Sequence, residues 1–208
     1  MKILIISVPR SGSTSLAYNL KSTLEYNEIF LEPYLYQKHN ESFISKRTFE
    51  HGYPLKLSKN SIVKTMSYQV ASQYGNPKDF TSFISEWKKE FDKIILLSRK
   101  DKHEHFVSWV NLLSKQENGE SVYKKWNITE IEGKLKNYNN VEFNKHRDVI
   151  EELSNLLNIP ITYYEELYGE DRIQSLEVIT KWGLELDSNK LNELSNPKFK
   201  LKQDKNII

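Results

Sequence analysis

Lys2-Ile3-Leu4-Ile5-Ile6-Ser7-Val8-Pro9-Arg10-Ser11-Gly12-Ser13-Thr14-Ser15-Leu16 opens the chain, and its reading decides the fold. The run Ile3 to Ile6 is apolar at successive positions, so a strand over Lys2–Ser7 is apolar on both faces, as in a buried parallel sheet. It enters a loop of small residues around Gly12, and a helical pattern follows over Ser13–Glu25. A strand that passes through such a loop into a helix can cradle an anion. Backbone N–H groups from Gly12 to Ser15 converge at the helix N-terminus, where the helix dipole adds positive potential and the hydroxyls add donors. Glycine permits the tight turn, and small side chains let oxygens approach.

Working outward, further short apolar runs at Ile29–Leu31, Ser61–Met66, Lys93–Ser98 and Ile161–Tyr164 read as strands. Helical patterns alternate with them at Pro77–Phe91, Lys102–Lys115, Asn144–Asn158 and Asp171–Trp182. This alternation predicts an α/β fold, a three-layer αβα domain with a mostly parallel sheet. The segments Tyr34–Lys59 and Gln116–Asn140 lack a clean period and read as helical insertions that cap the sheet on the side where a ligand lies, beyond the carboxyl ends of the strands.

The 208 residues, 38% of them hydrophobic, suit one domain over 1–208 with a single core. Their 30 basic and 28 acidic side chains nearly cancel, so the basic footprint of a nucleic-acid partner is absent and any anion site is local. With no cysteine, disulfides, thiolate metal sites and a cysteine nucleophile are excluded. The first apolar run is too short for a membrane span and meets Pro9-Arg10 rather than a small-residue cleavage site. The expectation is a cytoplasmic protein with no membrane partner; oligomeric state is not legible.

Aligned on a Walker A loop, Ser13 stands where the lysine should be and Thr14 at the hydroxyl position. A kinase would lose its β/γ-phosphate contact, whereas Arg10 places a cation earlier in the loop. Read alone, the segment is also an ordinary strand-turn-helix with a serine-rich cap. A second buried strand enters a helix at Ile94–Trp109, with Arg99 at the strand end, Asp101 as the expected N-cap and Ser108 two turns along. Arg99 and Ser108 together suit one phosphate, although the bland reading is a capping arginine and a solvated helix start.

Pro9-Arg10-Ser11-Gly12-Ser13-Thr14-Ser15-Leu16 resembles the 5′-phosphosulfate loop of the sulfotransferases that use 3′-phosphoadenosine 5′-phosphosulfate (PAPS). Arg99 and Ser108 resemble the family's 3′-phosphate element, in wording closest to the bacterial trehalose sulfotransferase group. The resemblance implies a P-loop-type fold with PAPS as co-substrate and 3′,5′-adenosine bisphosphate as product. Arg10, Ser11, Gly12, Ser13, Thr14 and Ser15 would hold the 5′-phosphosulfate, and Arg99 and Ser108 the 3′-phosphate. No metal is expected.

Lys64, near the end of Ser61–Met66, is the candidate for a further cation on the leaving phosphate, against the alternative of a snorkelling lysine on an edge strand. Glu32, in Phe30-Leu31-Glu32-Pro33-Tyr34, falls at a strand end before a proline and resembles the catalytic glutamate of trehalose-type enzymes, so it is assigned as base. Cytosolic steroid and phenol sulfotransferases carry a histidine where Met66 stands, a departure that favours Glu32. His103 and His105, two apart on a helix, read as surface residues, while His39 and His51 are candidates to reach an acceptor. Tyr34, Tyr36, Tyr53, Tyr68 and Trp109 are candidates to stack on it. Ile161–Leu167 and Trp182–Leu184 resemble the family's late strand and terminal helix and read as structural; Lys198, Lys200, Lys202 and Lys205 stand where members carry a basic lid.

The expected activity is sulfuryl transfer to a hydroxyl or amine of a small-molecule or carbohydrate acceptor. The alternatives are a P-loop kinase-like phosphotransferase, which needs magnesium held by a strand-end carboxylate, and a non-catalytic nucleotide or sulfated-glycan binding module on the same fold.

Overall fold

The computed structural model describes residues 1–32, 57–74, 88–117, 133–169, 172–184 and 186–194. Along them run β1 (Lys2–Ser7), α1 (Ser13–Thr23), β2 (Glu28–Leu31), β3 (Ser61–Met66), α2 (Ser67–Tyr74), β4 (Lys93–Ser98), α3 (Lys102–Glu117), α4 (Asn140–Leu157), β5 (Ile161–Tyr163), α5 (Tyr164–Tyr168), α6 (Arg172–Lys181) and α7 (Ser188–Leu194). The strands form one sheet in the order β2-β3-β1-β4-β5, with every pairing parallel.

Alternation along the strands divides the core in two. Leu4, Ile6, Val63 and Leu96 face a layer built from Val70 of α2, Phe106 and Trp109 of α3, and Phe143, Ile150 and Leu153 of α4. Ile3, Ile5, Ile62, Ile95 and Leu97 face Leu16 and Leu20 of α1, Leu167 of α5, Ile179 of α6 and Leu194 of α7. Helices therefore cover both faces, as the apolar strands require.

The site follows from the connections. β1 lies between β3 and β4; it passes into α1 on one face, while β4 passes into α3 on the other. The loops after β1 and β4 thus leave neighbouring strands in opposite directions, which opens a crevice at their carboxyl ends. Both loops singled out in the sequence flank that crevice.

Several boundaries differ from the sequence reading. Tyr164 begins a helix rather than ending a strand, and α2, α5 and α7 were not foreseen. Most of both insertions, most of the helix expected at Pro77–Phe91, the candidates Tyr34, Tyr36, His39, His51 and Tyr53, and the lysines from Lys198 onward lie outside the described residues. Among the described residues no helix is long and apolar enough to cross a membrane.

Candidate functional site

The first loop is built on alternating backbone conformation. Arg10 has φ 67° and Gly12 has φ 78°, with Ser11 between them outside the left-handed region. Such alternation turns successive N–H groups into one concavity, the geometry that receives anions. Gly12 caps α1 without a side-chain hydrogen bond, so the first-turn N–H groups, which have no intrahelical partner, are not consumed by a side-chain cap. The Ser11 hydroxyl donates to the Val8 carbonyl at 2.7 Å, pinning the turn, and the Ser7 hydroxyl donates to Ser13 Oγ at 2.8 Å, tying strand to helix. Thr14 and Ser15 are half-buried at the start of α1.

A glycine is required here twice over. A Cβ at Gly12 would sit 2.8 Å from Cδ2 and Cε2 of Tyr164, in addition to the positive φ. Tyr164 therefore packs directly on the loop, and its ring also lies under the Arg99 guanidinium, 4.4 Å from centroid to Cζ. The turn after β5 thus belongs to the site, where its sequence suggested only a structural role.

Arg99 follows β4 and is half-buried, with its Nε enclosed and lacking a partner among the described residues. Burial draws its pKa down, and the carboxylates of Glu165 and Glu104 act in the opposite sense. Asp101 accepts from the Glu104 N–H at 2.8 Å, as expected of the N-cap of α3. Ser108, expected to share a phosphate with Arg99, accepts from Arg10 Nε at 3.4 Å, so α3 presents its hydroxyl to the first loop.

On the other side of β1 from Arg99, Lys64 is 0% exposed and β3 is an interior strand, which removes the snorkelling edge-strand reading. Its ammonium donates to Glu32 Oε1 at 2.5 Å. Burial lowers the Lys64 pKa, and the Glu32 carboxylate pulls it back up. Glu32 has φ 57° and donates its N–H to the Lys64 carbonyl at 2.6 Å, so the backbone that ends β2 turns the carboxylate onto its neighbour. The Glu32 side chain stays 34% exposed. Met66 Sδ lies 3.4 Å from the Ser7 hydroxyl oxygen, beside the loop.

Tyr68 sits close enough to Glu32 that the carboxylate, after burial, raises its phenol pKa. Its ring packs edge-on against His146 at 5.6 Å, and Trp109 lies on Phe143 at 5.1 Å, so both stacking candidates belong to one aromatic cluster between α2, α3 and α4.

The largest correction concerns His105. It is 0% exposed, not a surface residue, whereas His103 is exposed as expected. His105 Nε2 lies 2.7 Å from the Pro9 carbonyl, and its Nδ1 lies 3.1 Å from Arg147 Nη1. The carbonyl can only accept and the guanidinium can only donate, so the ring is neutral and carries its proton on Nε2. Burial, with Arg99, Arg147 and Arg10 nearby, pushes its pKa down to about 3. Nothing in the polar stretch Lys102-His103-Glu104-His105 signals this, because the partner, Arg147, lies 42 residues away.

Comparison of the chain with protein-family models and with curated proteins returns no match.

Proposed function

We propose that this chain is a sulfotransferase with a P-loop-type site, moving a sulfuryl group from PAPS to a hydroxyl or amine of a small-molecule or carbohydrate acceptor. The observation that carries this reading is the order of groups along the carboxyl ends of the strands. Glu32 after β2, Lys64 on β3, the Arg10 loop after β1 and Arg99 after β4 follow one another across the sheet. A donor with an anion at each end matches such a row. The 5′-phosphosulfate is assigned to Arg10, the amides from Ser11 to Ser15 and the hydroxyls of Ser13, Thr14 and Ser15, with Ser108 held against Arg10. The 3′-phosphate is assigned to the guanidinium of Arg99, half-buried after β4.

The chemistry follows from the pair at the acceptor end. Glu32 takes the proton of the acceptor as its oxygen or nitrogen bonds to sulfur; the bond from sulfur to the 5′-phosphate oxygen breaks, and its electron pair stays on that phosphate. Protonation of Glu32 removes the anion that balances Lys64, leaving a buried positive charge as negative charge grows on the leaving phosphate. Base and electrophile are thereby coupled.

Calorimetry tests the donor assignment. The purified protein is expected to bind 3′,5′-adenosine bisphosphate without magnesium, and equal or tighter binding of ATP with magnesium overturns the reading. A screen of sugars, phenols and amines with labelled PAPS then identifies the acceptor.

A further inference from the structure

Two loops that must grip opposite ends of one ligand need a fixed separation, and the backbone around them shows what fixes it. The Pro9 carbonyl, immediately before Arg10, takes a hydrogen bond from His105 Nε2 at 2.7 Å. His105 Nδ1 takes one from Arg147 Nη1 at 3.1 Å, and Arg147 Nη2 donates to the carbonyl of Arg99 at 2.9 Å. The chain of bonds therefore runs from the residue before one candidate anion arginine to the backbone of the other. Its two members come from different helices, His105 from α3 and Arg147 from α4, and Arg147 is only 6% exposed. Phe143 of α4 closes edge-on over the imidazole at 4.9 Å.

We infer that His105 and Arg147 are positioning residues, a buried strap that holds the Arg10 loop and the Arg99 loop at the spacing of a doubly anionic nucleotide. This rests on the donor reading above. Neither side chain is assigned to the ligand; each acts through a backbone carbonyl. A guanidinium with donors in a fixed fork can serve the imidazole and the carbonyl together, which a lysine cannot do with the same geometry. The strap makes binding at the two ends cooperative, because the second anion meets a loop already placed by the first.

The test compares three probes by calorimetry: 3′,5′-adenosine bisphosphate, adenosine 5′-monophosphate and adenosine 3′-monophosphate. In His105→Phe, which removes both hydrogen bonds, the bisphosphate is expected to weaken by about tenfold or more while each monophosphate changes by no more than about twofold. His105→Gln, whose amide can donate to Pro9 and accept from Arg147, restores the bisphosphate affinity. Arg147→Lys, which keeps the charge but not the fork, gives the His105→Phe pattern and serves if that variant fails to fold by circular dichroism. If all three affinities fall together, or none changes in a folded variant, the strap is only structural and the inference is overturned. If the unaltered protein binds no bisphosphate at all, the donor reading itself fails first.

Discussion

Glu32 and Lys64 constrain each other unequally. Lys64 is fully enclosed and depends on the carboxylate to offset the loss of water around its ammonium, while Glu32 remains partly in solvent. Glu32→Gln keeps the shape and an acceptor oxygen for the ammonium but cannot take a proton. It is expected to lower turnover by roughly 10²–10⁴-fold with bisphosphate affinity retained, read by single-turnover assay beside calorimetry. Turnover that survives the change moves the base elsewhere. Arg10→Ala and Arg99→Ala act on the other half, each weakening bisphosphate binding by about 1.5–3 kcal/mol if its guanidinium makes charge-assisted bonds. Calorimetry that leaves either affinity unchanged shows that its loop is misassigned.

Strands β1, β3 and β4 were legible to the residue because they are buried on both faces and their apolar runs are continuous. Short elements were less so. Ile161-Thr162-Tyr163-Tyr164 carries the composition of a strand throughout, yet the chain turns helical at Tyr164, where the ring meets Gly12 and Arg99. That is tertiary contact overriding local preference. The candidate residues themselves were visible because a loop between strand and helix is a local pattern; the strap was not, because a buried histidine in a polar stretch is defined by its partner. The joint between β1 and α1 gives a test of this contact. Gly12→Ala meets both the positive φ and the Tyr164 ring, and is expected to cost about 2–4 kcal/mol in urea unfolding. Adding Tyr164→Leu should recover the part due to the ring and leave the part due to φ; a Gly12→Ala protein as stable as the original would refute the packing.

Across the whole molecule, the strap ties stability to pH. The ring of His105 is held neutral in the folded protein: burial first, and then Arg99, Arg147 and Arg10, disfavour its protonation and push its pKa down to about 3. In the unfolded chain it titrates near 6.5, the ordinary value. Between those values the unfolded state binds a proton that the folded state refuses, so the contribution is fully present above 6.5 and is lost progressively as pH falls. One such group costs about 1.4 kcal/mol between pH 7.5 and 5.5. His146, whose pKa burial also lowers, acts in the same direction, and Glu28 and Glu142, held low by their hydrogen bonds to Ser58 and Lys145, add their own slope at lower pH. All of these are shared with His105→Gln, which cannot titrate at that position. Urea unfolding of both proteins at the two pH values should therefore show the original losing about 1.4 kcal/mol more than the variant. Equal losses would mean that the imidazole is protonated in the folded state, and a protonated ring has no lone pair with which to accept from Arg147.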